Sequence, residues 1–292
     1  KKKNIKKFYI ETLGCQMNVA DSELIISMLN NEGFIKSDSP QNSDLIFINT
    51  CSIRERAEEK VHSQLGRWDK IKKNKPEVII GVLGCMAQNL KQDILENRPF
   101  VDIVLGPDSY RKLPEIIKRS LNDEQSIVDT KLSRYEVYEG LFPKRKGGVN
   151  AWISIMRGCD KFCTFCIVPF TRGRERSRNI DSIVKEAEDA VYNGFRELTL
   201  LGQNVNSFKY NDYKFHDLLE IISQISGVDR IRYTSPHPQD ISDELLDIMR
   251  KYDNICNYIH LPLQSGSDKI LKRMHRSYSK NDFLSLAKKI RQ

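Results

Sequence analysis

Three cysteines far apart in the chain recur at one point of a repeating pattern, each closely following a short β-rich run. The runs are Tyr9-Ile10-Glu11-Thr12-Leu13-Gly14-Cys15, Ile46-Phe47-Ile48-Asn49-Thr50-Cys51 and Gly81-Val82-Leu83-Gly84-Cys85. Strands alternating with amphipathic stretches build a parallel sheet with crossover helices. In such an open sheet the carboxyl ends of the strands share one edge, where ligands bind, so three distant thiols can converge there. Gly14 and Gly84 let the backbone approach a bound group closely. The pattern predicts strands at 7–13, 44–49, 78–83 and 102–105, with helices at 21–32, 54–73, 90–97 and 113–121. It also predicts an iron-sulfur site held by Cys15, Cys51 and Cys85, with small buried hydrophobes as the alternative role for the same thiols.

A second, compact triplet lies just past the apolar run 151–156: Cys159-Asp160-Lys161-Phe162-Cys163-Thr164-Phe165-Cys166, spaced C-x3-C-x2-C. Three thiolates ligate three irons of a 4Fe-4S cube, whereas Cys-only sites usually bring four ligands. The fourth iron is left open to hold a small molecule and pass it an electron, which makes this a catalytic spacing more than a structural one. The rival is zinc with a distant fourth ligand drawn from the 5 histidines, although zinc cysteines more often come as paired C-x2-C knuckles. Of the 7 cysteines, Cys256 is left over and reads as core packing.

The 292 residues, 39% hydrophobic and 29% charged, suffice for two ordinary domains. An odd cysteine count grouped in triplets favours metal use over disulfides. No stretch has the length of a membrane span, and the basic start Lys1-Lys2-Lys3 lacks a secretory pattern, so the expectation is a cytoplasmic protein with no membrane association. The net charge of +8 hints at an anionic partner. Residues 1–121 read as an open parallel α/β domain and 122–149, with its Lys144-Arg145-Lys146, as a linker. Residues 150–292 read as a second βα domain, with strands at 152–156, 197–201, 230–234 and 258–261 and helices at 180–192, 216–225, 243–251 and 280–290. Four such units make a partial (βα) barrel, incomplete at its carboxyl end.

At this point whole motifs resemble a known family. The run from Arg157-Gly158-Cys159 to Ile167-Val168-Pro169, continuing through Thr171-Arg172-Gly173-Arg174-Glu175-Arg176-Ser177-Arg178, resembles the radical S-adenosylmethionine (SAM) methylthiotransferases. So do Leu13-Gly14-Cys15-Gln16-Met17-Asn18, Asn49-Thr50-Cys51-Ser52-Ile53-Arg54-Glu55 and Gly84-Cys85-Met86-Ala87-Gln88. Leu201-Gly202-Gln203-Asn204-Val205-Asn206, Ser235-Pro236-His237-Pro238 and Leu261-Pro262-Leu263-Gln264-Ser265-Gly266-Ser267 match as well. The Asn-Thr-Cys and Arg-Gly-Cys runs look most like the tRNA-modifying branch. The resemblance implies a radical SAM domain after the amino-terminal one, and two 4Fe-4S clusters with SAM as cofactor. Cys159, Cys163 and Cys166 would hold the SAM cluster, and Cys15, Cys51 and Cys85 the auxiliary, sulfur-carrying one. It implies methylthiolation of C2 of an N6-isopentenyladenosine beside the tRNA anticodon, with SAM as methyl donor and radical source. The partners implied are tRNA, a reducing electron donor such as flavodoxin, and a sulfur donor. The family's terminal RNA-binding β-barrel, called TRAM, has no counterpart in these residues.

Other residues are candidates by position. Gln203, Ser235 and Gln264 fall at or just past strand ends and are candidates to bind SAM or base, with loop capping as the alternative. Asn18 and Gln88, beside cluster cysteines, are candidates to line the adenine pocket. Arg172, Arg174, Arg176 and Arg178 alternate, so on an extended segment they would share one side and neutralise phosphates, with a solvated basic face as the alternative. Two other functions remain in view: modification of a ribosomal-protein aspartate, and a non-catalytic iron-sulfur RNA-binding redox sensor.

Overall fold

The computed structural model describes residues 6–52, 55–123, 125–145 and 147–292. The basic start, Ile53 and Arg54 of the Asn-Thr-Cys run, and Lys146 of the basic stretch lie outside the described residues. The chain forms two compact units, one of Lys1–Arg145 with Phe170–Arg172 and the other of Lys146–Pro169 with Gly173–Gln292.

The first unit is built in the order β1 (Lys7–Leu13), α1 (Gln16–Asn31), β2 (Ile35–Lys36), β3 (Leu45–Thr50), α2 (Glu55–Asn74), β4 (Ile79–Gly84), α3 (Cys85–Leu90), α4 (Asp93–Asn97), β5 (Ile103–Leu105), α5 (Leu113–Asp123) and β6 (Ile127–Asp129). All six strands are parallel, in the order β2-β1-β3-β4-β5-β6. The middle strands β3 and β4 are buried along their whole length, as strands covered on both faces must be. Alternate side chains feed two cores. Leu45, Phe47 and Leu83 pack with α1 and α5 through Ile25, Leu29, Leu113 and Ile117. Ile46, Ile48, Ile80 and Val82 pack with α2, α3 and α4 through Leu65, Trp68, Met86 and Ile94. The strand order reverses direction between β1 and β3, the switch point at whose carboxyl edge open α/β sheets bind ligands.

Residues 122–149, expected as a linker, carry instead β6, which extends the sheet beyond β5, and Tyr138, whose side chain is buried in the first core. Polar composition concealed this, because β6 is an edge strand of three half-buried residues with little apolar signal. The helix expected over 90–97 is two short helices separated at Lys91, which takes a positive φ of 48°.

The second unit runs β7 (Asn150–Ser154), β8 (Met156–Arg157), α6 (Val168–Thr171, whose last two residues belong to the first unit), β9 (Arg176–Ser177), α7 (Ile180–Tyr192), β10 (Glu197–Leu201), β11 (Lys209–Tyr210), β12 (Tyr213–Lys214), α8 (Phe215–Ser223), β13 (Arg230–Tyr233), α9 (Asp243–Lys251), α10 (Asp268–Arg273) and α11 (Lys280–Ile290). Its sheet is parallel in the order β13-β10-β7, each βα unit adding the next strand on the same side as in a barrel. Ile153, Leu198, Leu200 and Ile231 pack with α7, α8 and α9 through Ile183, Leu219, Ile222 and Leu245. The strand expected at 258–261 is absent, and in its place a single bridge joins Ile255 to Ile231. The Tyr258 N–H donates to the Cys256 carbonyl at 2.7 Å, a three-residue turn that breaks the extended ladder before Tyr258. No helix among the described residues is long and apolar enough to cross a membrane.

Candidate active site

Strand register places the first three thiols side by side. Leu13 pairs with Thr50 and Thr50 with Gly84, so Cys15, Cys51 and Cys85 leave three adjacent strands at the same edge, with Cys15 and Cys51 flanking the switch point. All three are free thiols, and Cys51 and Cys85 are buried. Gly84 has to be glycine: its φ is +93°, and a Cβ there would meet Asn49 Oδ1 and lie 2.8 Å from the Thr50 carbonyl oxygen.

Polar side chains buried beneath the edge hold it in place. Asn18 Oδ1 accepts from the Cys15 thiol at 3.3 Å, and Asn18 Nδ2 donates to Asn49 Oδ1 at 3.3 Å. Asn49 Nδ2 donates in turn to the Asn18 carbonyl and to Ser22 Oγ, at 3.0 and 2.9 Å. Tyr110 adds a long hydrogen bond to Asn49 Oδ1 at 3.5 Å. Gln88 is buried and donates to the Thr130 carbonyl at 2.7 Å. Asn18 and Gln88, expected to line an adenine pocket, therefore sit within the packed edge, 0% and 3% exposed.

A buried charge completes this site. Arg172, 3% exposed, forms an ion pair with Asp21 at 3.0 Å and hydrogen-bonds Cys85. The Cys15 thiol is held down, to about 5, first by its hydrogen bond with Cys51, then by the Arg172 charge and by the Asn18 and Met17 backbone. Burial pushes Cys85 up against the lowering pull of Arg172. The neighbours thus favour the thiolate form of Cys15, the form that ligates metal.

The second triplet occupies a loop stitched at several points. The Gly158 N–H donates to Gln203 Oε1 at 2.5 Å and the Cys159 N–H to the Gly173 carbonyl at 3.2 Å. The Asp160 N–H donates to Glu175 Oε1, the Glu175 N–H returns to Asp160 Oδ1, and Arg174 pairs with Asp160 at 2.8 Å. Lys161 pairs with Asp240 at 2.8 Å. From the other side, Thr164 donates through N–H and Oγ1 to the Met274 and Arg273 carbonyls, and His275 Nδ1 donates to the Phe162 carbonyl at 3.1 Å. Arg276 Nη1 reaches Cys163 Sγ at 3.3 Å. Burial pushes the Cys159 thiol up to about 11 and raises Cys166, so these cysteines are thiols until a metal displaces their protons.

Among the described residues no group of three or more His, Cys, Asp or Glu is placed to hold a single metal ion. A cube places each thiolate on a different iron, so the thiols need only surround a common space. The first triplet meets that demand through three adjacent strand ends, and the second through a short loop pinned at Gly158 and Thr164 and closed by the Cys166 N–H on the Cys163 carbonyl. Each also has one arginine bonded to a thiol, a counter-charge suited to an anionic cluster.

Other expected residues part company. Gln203 caps the second loop as stated, whereas Ser235 and Gln264 are exposed, make no side-chain hydrogen bond among the described residues, and hold positive φ values of 58° and 66°. Non-glycine residues reach that region at a cost and only where the surroundings enforce it. The arginine row is not one basic face. Arg172 is paired with Asp21 in the first unit; Arg176 is buried; Arg178 is buried on Glu186 at 2.6 Å and on Ser182. Only Arg174 is exposed, its guanidinium 5.1 Å from the centre of the Phe162 ring. The extended run on which one shared side was expected is broken by a turn at Gly173, with φ +73°. Asp21, Tyr110 and Arg276 were not among the sequence candidates, since each meets its partner in the site, Arg172, Asn49 and Cys163 respectively, across a long stretch of chain.

The comparisons with known proteins agree on both halves. Residues 7–106 match the Uncharacterized protein family UPF0004 and residues 153–292 the Radical SAM superfamily. Curated tRNA-2-methylthio-N(6)-dimethylallyladenosine synthases are similar along nearly the whole chain. That of Amoebophilus asiaticus is 47% identical over 98% of this chain and 62% of its own length. That of Porphyromonas gingivalis is 46% identical over 99% and 64%, and that of Ruegeria sp. 44% over 98% and 66%. The chain thus spans somewhat under two thirds of the length of the curated relatives it matches. Among solved structures, a radical S-adenosylmethionine methyltransferase, TsrM, from Kitasatospora setae superposes with a TM-score of 0.67 at 13% identity, over 98% of this chain and 65% of that one, a likeness of fold.

Proposed function

We propose, since the chain belongs to the radical SAM methylthiotransferase family, that it methylthiolates C2 of N6-isopentenyladenosine next to the anticodon of tRNA. The observation that carries this reading is the pair of three-cysteine sites, one at the β1, β3 and β4 strand ends and one in the 159–166 loop. Near-full-length similarity to synthases of that name supports it. Two open clusters also argue against a passive redox sensor, because a purely structural cluster gains stability from a fourth protein ligand.

An aromatic C–H is neither acidic nor electrophilic enough for side-chain chemistry, so the reaction needs a cofactor-derived radical. With SAM and both 4Fe-4S clusters bound, the cofactors supply that radical, the sulfur and the methyl group. The chain's own residues do the rest. Cys159, Cys163 and Cys166 hold one cluster, while Gln203 and the Asp160–Glu175 pair fix the loop that carries them. Cys15, Cys51 and Cys85 hold the other, braced by Asn18, Asn49 and the Asp21–Arg172 pair. A one-electron reductant such as flavodoxin, a sulfur donor and a cytoplasmic setting complete this reading. Phosphate contact in the basic run falls to Arg174, the exposed member. Ser235 and Gln264 keep their place as candidates for SAM contact, each at a strained backbone position past a strand or loop end.

The test is direct. The reconstituted chain is incubated anaerobically with SAM, dithionite and tRNA carrying N6-isopentenyladenosine, and the digested nucleosides are analysed by mass spectrometry. The reading predicts a methylthio product that Cys159→Ala abolishes. Unchanged tRNA together with methylthiolation of a ribosomal-protein aspartate would transfer the chain to the other branch of the family.

A further inference from the structure

We propose that Arg276 tunes the reduction potential of the cluster held by Cys159, Cys163 and Cys166, by hydrogen-bonding the Cys163 sulfur and offering a second N–H to cluster sulfur. This rests on the reading of that triplet as a cluster site.

The geometry singles out this residue. Arg276 Nη1 donates to Cys163 Sγ at 3.3 Å, and Nε donates to Tyr278 Oη at 3.0 Å. Tyr278, 9% exposed, is anchored through its hydroxyl to the Pro262 and Leu263 carbonyls, at 3.1 and 3.0 Å. Its ring centre lies 5.1 Å from the guanidinium carbon, and the edge of His237 packs against the same ring. The guanidinium is therefore fixed on two sides. Its remaining nitrogen, Nη2, is buried and meets no acceptor among the described residues. A buried charged donor left unmatched is costly, so its persistence indicates an acceptor supplied by whatever the site takes up. The neighbouring cations are committed elsewhere, Lys161 to Asp240 and Arg174 to Asp160, while Glu175 adds negative charge beside Cys159. Among the described residues, Arg276 is the cation that bonds a thiol of this triplet.

The consequence is electrostatic. A cube core with three thiolates is an anion, and reduction adds one negative charge without forming or breaking a bond. The electron comes from an external one-electron reductant, which is oxidised in turn. N–H donors and a positive charge aimed at the sulfurs stabilise the reduced form more than the oxidised one and raise the potential. With the neighbouring cations paired to carboxylates, removing Arg276 should make the cluster harder to reduce.

The experiment is an EPR redox titration of the reconstituted chain, following the reduced-cluster signal that added SAM perturbs, in wild type, Arg276→Lys, Arg276→Gln, Arg276→Met and Tyr278→Phe. Arg276→Gln and Arg276→Met should hold wild-type iron yet show at least a tenfold smaller reduced-to-oxidised ratio at a fixed potential, which is 59 mV for one electron. Arg276→Lys and Tyr278→Phe should shift less and in the same direction. An unchanged midpoint in the iron-loaded Gln or Met variant overturns the proposal. So does loss of iron from Arg276→Lys as well as Arg276→Met, which would make the residue a loop brace. A wild-type chain with no SAM-sensitive signal would instead sink the cluster reading itself.

Discussion

The Asp21–Arg172 pair is the place where the first unit should be most sensitive to a single atom change. Its side chains are 0% and 4% exposed and 3.0 Å apart. At an effective dielectric constant of about 20, two charges at that separation attract by roughly 5 kcal/mol. Removing one partner of such a pair typically costs ~3–5 kcal/mol, because the other is left as an uncompensated buried charge. Asp21→Asn keeps the shape and removes the charge, and Arg172 retains its neighbouring thiols, so we expect about 3 kcal/mol. With a urea m-value of roughly 2 kcal/mol/M, the unfolding midpoint of this unit should fall by about 1.5 M. Trp68, buried and edge-on to Tyr9 at 6.3 Å, reports on this unit alone once the other tryptophan is replaced by Trp152→Phe. A local probe is needed because a chain of two units does not promise one transition. Arg172→Met alone should cost a similar amount, since it strands Asp21. The double variant removes both charges, so it should fall short of the sum of the singles by about 1.5 kcal/mol or more. A loss below about 1 kcal/mol for Asp21→Asn, or strict additivity in the double variant, would refute the reasoning.

Gly84→Ala forces a Cβ onto Asn49 Oδ1 and the Thr50 carbonyl at φ +93°, so it should lower the thermal midpoint and the iron bound by the first triplet; normal iron and stability would count against the packed edge. Burial, then the charges of Arg276 and Lys161, depress His237 to about 4. Its folded value lies below its unfolded one, so the stability it contributes is complete above about pH 6.5 and is lost as pH falls towards 4. His237→Gln should flatten that part of the stability-pH curve of the second unit, and an unaltered slope would exclude the linkage. Arg178→Met should destabilise the second unit by about 3 kcal/mol by stranding Glu186, whereas exposed Arg174→Ala should leave stability within about 0.5 kcal/mol. Binding of tRNA should respond in the opposite order, with the salt dependence weakened by Arg174→Ala; equal effects from both variants would remove Arg174 from the phosphate contacts.

The long, strongly patterned elements were legible in the sequence. β1, β10, α7, α9 and α11 take the expected bounds, because each carries an apolar face of the right period between clear breakers. The cysteine sites were legible for a related reason. A thiol directly past a strand of a parallel sheet has its position fixed by topology, and register alone brings Cys15, Cys51 and Cys85 to one edge. What escaped was whatever depends on partners distant in sequence. β6 is too short and polar to be seen without β5 beside it. The alternating arginines look like one surface until burial separates Arg172 and Arg178 into ion pairs with Asp21 and Glu186. Arg276 carries no local sign of its bond to Cys163, more than a hundred residues earlier in sequence.

The central claim is that the two triplets hold two separate clusters, and iron stoichiometry after anaerobic reconstitution tests it most directly. The account predicts about eight irons and eight sulfides per chain, falling to about four in Cys51→Ala and likewise in Cys163→Ala. About four irons in the wild-type chain, with no further loss in Cys51→Ala, would contradict it and leave the strand-end thiols as packing.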